Sequence, residues 1–229
     1  MGDEFDKSLE LYLLKINNWF QKYPENSTDF LTRLESHENK VHRAAVNELF
    51  WYNFALNLKW EIKPIPAENK AGENRPDFEV TSPIAFNCEI TTLNEPDKKF
   101  FLEKELERIY GKWTDKSKKA QIEWSMKEKK PHILVIFDYS KLSGIGTQHQ
   151  KSLPDFFQKP TTGLPHSPVE HPSLPEGLSS VLYLERYVAK GKFMLRMAKS
   201  VLIHNPNATF PLGNDMFDWL NQKEDLEII

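Results

Sequence analysis

Asp77 and Glu89 are the side chains best placed to do chemistry together. They lie in the stretch Arg75 to Thr92, RPDFEVTSPIAFNCEITT, which reads as two short strands, Pro76 to Val80 and Phe86 to Thr92, joined by a turn at Ser82 and Pro83. β-Branched and aromatic residues fill the strands, and proline and serine mark the turn. A hairpin centred on Pro83 sets Asp77 across from Glu89. Side chains alternate along a strand, so Asp77, Glu79, Asn87, Glu89 and Thr91 share one face, while Phe78, Val80, Cys88 and Ile90 share the other. Two carboxylates opposed at a Cβ separation of roughly 5 Å repel and weaken the pairing unless something positive lies between them. A hard divalent ion such as Mg²⁺ or Mn²⁺ meets that need, because it takes oxygen ligands, including one or two protein carboxylates.

Several elements have to hold that hairpin. A helix from about Val41 to Leu58 precedes it, and Glu48 on this helix has apolar Ala44, Ala45, Trp51 and Tyr52 three and four residues away. Its carboxylate therefore projects from the inward face, where an acid needs a partner. That partner is either a metal shared with the hairpin or an arginine such as Arg43 or Arg75. Trp60 to Pro64 reads as a first strand and Ala67 to Asn74 as a polar loop. After the hairpin, helical spacing runs from about Lys99 to Lys129 with a break near Thr114 and Asp115. Leu102, Leu106, Ile109, Trp113, Ala120 and Trp124 form its inward stripe, with Lys116 at the border and Lys119 to the side. Eleven basic residues face six acidic ones between Lys98 and Lys130. Such a run is either a solvated helix face or a phosphate-contacting one, and in the second case Lys112, Lys116 and Lys119 are the contacts. His132 to Asp138, HILVIFD, is a nearly continuous apolar run, as expected of a strand buried on both faces. The crossover through the long helix suits a parallel final pairing.

Periodicity alone assigns the α/β class. The Pro76-Asp77 pair, the hairpin and Glu89, set in the order helix, three strands, helix, strand between Val41 and Asp138, resemble the PD-(D/E)XK, or restriction-endonuclease-like, nuclease superfamily. The resemblance implies a central mixed sheet flanked by helices, an αβββαβ core with an N-terminal helical extension. It also implies a metal-dependent nuclease, acting on DNA more than RNA, that uses Mg²⁺ or Mn²⁺. Asp77 and Glu89 would be metal-binding and catalytic, with Glu48 as the additional acid. The family expects a lysine two residues after the second acid, where this chain has Thr91, so the resemblance requires a lysine from elsewhere: Lys116 first, Lys119 second. A homodimer would suit cleavage of two strands. The alternative is a catalytically inactive module of the same fold that binds nucleic acid or a protein partner.

Composition bounds these expectations. The 229 residues are 39% hydrophobic and 28% charged, ordinary for a globular chain. No apolar run approaches the ~20 residues of a membrane-spanning helix, and the acidic, polar start MGDEFDKSLE is not a secretory signal. The lone Cys88 excludes an internal disulfide and fits a reducing cytoplasm. On the apolar face of its strand, its thiol is expected to be inert. A net charge of −3 confines any nucleic-acid contact to a local patch. His37 and His42 lack a third ligand at zinc spacing. There is no GxSxG element or P-loop, and Gly144-Ile145-Gly146 is not a dinucleotide fingerprint. Residues 1–40 read as helices packed on the core, the first from Phe5 to Lys22 and the second from Ser27 or Thr28 towards His37; 41–138 read as the core. Residues 139–229 hold a Pro/Gly-rich loop from Gly144 to Gly177, strands at Ser180 to Tyr187 and Phe193 to Ile203 extending the same domain, and a short helix at Asp215 to Leu220.

Overall fold

The chain opens with three helices, α1 (Gly2–Lys22), α2 (Thr28–Leu34) and α3 (Asn39–Asn57). The structure, a computed structural model, describes residues 2–24, 28–65, 74–94, 111–112, 115–139, 174–188 and 195–213. The Gly144 to Gly177 loop lies almost wholly outside these residues, as do the terminal helix and most of the Lys99 to Thr114 stretch. Helix α3 is the hub of the first layer, with Ala45, Leu49, Trp51 and Ala55 fully buried. Tyr23 stacks on Phe30 with ring centroids 4.6 Å apart, so α1 and α2 close over its outer side.

Both transitions from a long helix into the sheet use the same device. Lys59 (φ 65°) follows α3 and Lys129 (φ 55°) follows the helix α4 (Lys116–Lys127). The Trp60 N–H then reaches back to the Ala55 carbonyl and the Lys130 N–H to the Ser125 carbonyl. This left-handed cap satisfies the orphan carbonyls and reverses the chain into the next strand.

Among the described residues six strands follow in chain order across one sheet: β1 (Glu61–Pro64), β2 (Phe78–Ser82), β3 (Phe86–Leu93), β4 (His132–Asp138), β5 (Ser180–Val188) and β6 (Leu195–His204). The pairings β1–β2 and β2–β3 are antiparallel, β3–β4 and β4–β5 parallel, and β5–β6 antiparallel. The sheet is thus mixed, with α3 on one face and α4 on the other. Phe78, Val80, Cys88 and Ile90 join the α3 core, where Phe137 meets Phe50 edge to face at 5.6 Å. Every residue of β4 is buried, as its unbroken apolar run requires. Among the described residues no helix is long and apolar enough to cross a membrane.

The inward face of α4 differs from the expected stripe. Among its described side chains Gln121, Ile122 and Ser125 are buried, while Ala120 and Trp124 are half-buried. The reason lies in the partner surface: β3 presents Asn87 and Glu89 on this side, and a polar row is matched by polar helix residues.

Candidate functional site

The β2–β3 ladder pairs Phe78 with Cys88, Glu79 with Asn87 and Val80 with Phe86, a register centred on Pro83. One more step would pair Asp77 with Glu89, but the strand stops short of it. Pro76 offers no N–H to a ladder, and the short aspartate side chain competes for backbone donors. Asp77 therefore bends, and its Oδ2 accepts the Ile90 N–H at 2.7 Å. Its carbonyl accepts from Ile65 N at 2.9 Å, fixing the residue to the end of β1 as well. The Asp77 carboxylate thus lies against β3 one residue from Glu89, which is 3% exposed.

The α4 side of this notch is built from polar side chains. Asn87 Nδ2 donates to Ser125 Oγ at 3.2 Å, and Ser125 Oγ lies 2.8 Å from His132 Nδ1. One turn earlier on α4, Gln121 Nε2 donates to the carbonyl of Arg75 at 3.1 Å. The Gln121 Oε1 and Asn87 Oδ1 atoms are buried and accept no hydrogen bond. Neither Gln121 nor Ser125 stands out in the sequence. The signal was their four-residue spacing on a helix that follows a strand with Asn87 and Glu89 on one face.

Two lysines, Lys116 and then Lys119, were expected to supply the missing positive charge. Lys116 opens α4, but its side chain lies outside the described residues. Lys119 is exposed. Lys112, expected only as a phosphate contact, donates its Nζ to the Thr92 carbonyl at 2.9 Å. Ile90 and Thr92 are two residues apart, so their backbone groups point to the same edge of β3. Beyond the end of β2, that edge receives the Asp77 carboxylate first and the Lys112 ammonium next.

Glu48 is not brought to these groups. It sits on α3, across the sheet from α4, in a two-pronged pair with Arg33 of α2 at 2.7 and 2.9 Å. An arginine partner, one of the two readings of this carboxylate, is therefore present, and it is Arg33. Arg43 lies over the ring of Tyr139, 4.9 Å from its centroid. A planar guanidinium matches a carboxylate at two points, and α2 delivers one from the next helix.

Glu79, on the Glu89 face, is held by Lys63 at 2.8 Å and by Lys130. Burial alone would raise its carboxyl pKa, but the two ammonium groups outweigh burial and leave it below its ordinary value. Cys88 is buried on the α3 side, with Trp51 Nε1 3.2 Å from its sulfur. Burial pushes its thiol well above the usual range, so it is no nucleophile. His42 takes the Tyr12 hydroxyl at 3.0 Å and the Leu34 carbonyl at 2.6 Å.

No group of three His, Cys, Asp or Glu side chains gathers among the described residues. The donors around the notch are oxygens: two carboxylates and the buried amide oxygens of Gln121 and Asn87. That donor set fits Mg²⁺ or Mn²⁺ and does not fit zinc or copper. Compared with protein-family models, with curated proteins and with solved structures, the chain finds no match in any of the three.

Proposed function

We propose that this chain is a metal-dependent phosphodiesterase that hydrolyses nucleic acid, DNA before RNA, with Asp77 and Glu89 as its metal-binding acids. The observation that carries this reading is the Asp77 carboxylate at Ile90 N, beside the buried Glu89, at the point where the β2–β3 ladder ends. The arrangement of α3, three antiparallel strands, α4 and a parallel β4 supports it, because that is the αβββαβ order of the nuclease superfamily the sequence resembles.

Asp77 and Glu89 would hold Mg²⁺ or Mn²⁺. When bound, that ion lowers the pKa of a water and offsets negative charge on the phosphate and the leaving oxygen. Asp77 is fixed by its backbone hydrogen bond and Glu89 by burial, so neither has to be ordered as the substrate arrives. Lys112 stands one residue from Thr91, the place where the superfamily has its lysine. Its ammonium is the positive group next to a phosphate lying along the β3 edge. The water oxygen bonds to phosphorus as the bond to the leaving oxygen breaks, and that oxygen departs with a proton.

Purified protein with Mn²⁺ or Mg²⁺ is expected to cut plasmid or an end-labelled oligonucleotide. Asp77→Ala should lower the rate by about 10³-fold while leaving the circular dichroism spectrum unchanged. Equal cutting by wild type and variant would sink the assignment. Oligonucleotide binding without cutting, in every metal tested, would favour the inactive module.

A further inference from the structure

We infer that Gln121 is an oxygen ligand of the cation held by Asp77 and Glu89, in the role that the sequence offered to Glu48. This rests on the metal-dependent reading above and adds to it a neutral ligand from α4. Helix α4 runs back along β3, and its Ser125 lies over Asn87 through a 3.2 Å hydrogen bond. Four helical residues advance about 6 Å, and two strand residues advance about 6.6 Å. Gln121 therefore stands over Glu89. The bond from Gln121 Nε2 to the Arg75 carbonyl agrees, since Arg75 is two residues from Asp77.

That bond also fixes which end of the amide is left over. With Nε2 committed to Arg75, Oε1 is buried and accepts no hydrogen bond. A buried carbonyl oxygen with no donor costs about 1–3 kcal/mol. Glu89, buried on the same side of β3, adds a second oxygen. A divalent cation satisfies both kinds of oxygen, and amide oxygens are ordinary ligands for hard ions. Glu48 cannot take this part, because its carboxylate is engaged by Arg33 on the other side of the sheet. The ligand set becomes two carboxylates and one amide, leaving the remaining positions for water and phosphate oxygens.

The test is Mn²⁺ titration into the full chain, stripped of metal and without nucleic acid, followed by calorimetry and by the electron paramagnetic resonance signal of free Mn²⁺. Gln121→Leu should bind Mn²⁺ at least about tenfold more weakly than wild type. Gln121→Glu should bind at least as tightly as wild type, with an affinity that falls more steeply as the pH is lowered. Glu48→Gln should bind like wild type. Wild-type affinity in a folded Gln121→Leu, or weakened binding in Gln121→Glu, overturns the inference. If Gln121→Leu does not fold, Gln121→Glu decides. If Asp77→Ala loses Mn²⁺ and cleavage while Gln121→Leu keeps both, the nuclease reading stands and this ligand assignment fails. If wild type binds no Mn²⁺, the ligand assignment falls, and cutting that survives chelation would sink the metal-dependent reading separately.

Discussion

A single carboxylate explains why the β2–β3 ladder stops where it does. Asp77 spends its side chain on the Ile90 N–H, a bond that a ladder residue would have supplied from its backbone. The exchange leaves a notch in the hairpin, with a further backbone acceptor on that edge, the Thr92 carbonyl, taken by Lys112. Lys112→Ala should therefore reduce single-turnover cleavage by about 10²-fold, whereas Lys119→Ala, on an exposed side chain, should leave it unchanged. The same rate in both variants would remove Lys112 from the proposed site. The acids themselves were legible in the sequence, since two carboxylates facing each other in an apolar hairpin ask for an explanation. Lys112 was not, because its place depends on where the chain returns after residues that no periodicity aligns with β3. Glu48 shows the opposite limit. Its need for a partner was readable from the helix, but choosing Arg33 required knowing how α2 folds against α3.

Among the elements, β2 owes much of its placement to Glu79. This residue faces Lys63 on β1 and Lys130 at the entry to β4, so one carboxylate ties together three separate segments. Its lowered pKa fixes the sign of the pH dependence. The stabilisation is present above the ordinary carboxyl value of 4.5 and is lost as the pH falls through the lower folded value. Lys63 is 64% exposed, so solvent screening holds the contribution to about 1 kcal/mol. Urea unfolding should find Glu79→Gln less stable by that amount at pH 7 and close to wild type near pH 3. A gap that stays constant with pH would mean that the ion pairs contribute nothing. Helix α4 was harder to orient from sequence than α3. The search for an apolar stripe selects Ala120 and Trp124, yet the sheet surface beneath carries Asn87, Glu89 and His132, and it draws Gln121 and Ser125 inward. Stripe reading works where the partner surface is oily and fails where it is wet.

For the molecule as a whole, alternation, the hairpin turn and the apolar run of β4 were enough to read a mixed sheet between helices. The strands at both ends of the chain order also fell close to their expected bounds. How the two sides of the sheet are sealed was not readable, and Gly177 shows why. It precedes β5 in sequence but packs on α4, where an added Cβ would lie 2.5 Å from Ile122 Cγ2 and Met126 Sδ. The thioether can swing aside; Ile122, only 5% exposed, has little room to follow. Gly177→Ala should cost about 1–3 kcal/mol in thermal or urea unfolding. An unchanged midpoint would show that α4 yields freely at this point.

The parallel ladders have a consequence during synthesis. On the ribosome, α1 to α3 and the hairpin can assemble from neighbouring residues, because their contacts are short in sequence. Strand β3 then waits with its second edge bare until His132–Asp138 emerges, and β4 waits in turn for Ser180–Val188. Long-range pairings of this kind form slowly. The nascent chain therefore passes through an interval in which an apolar strand edge is open to other chains, and growth temperature and helper proteins will govern its yield more than the stability of the finished sheet.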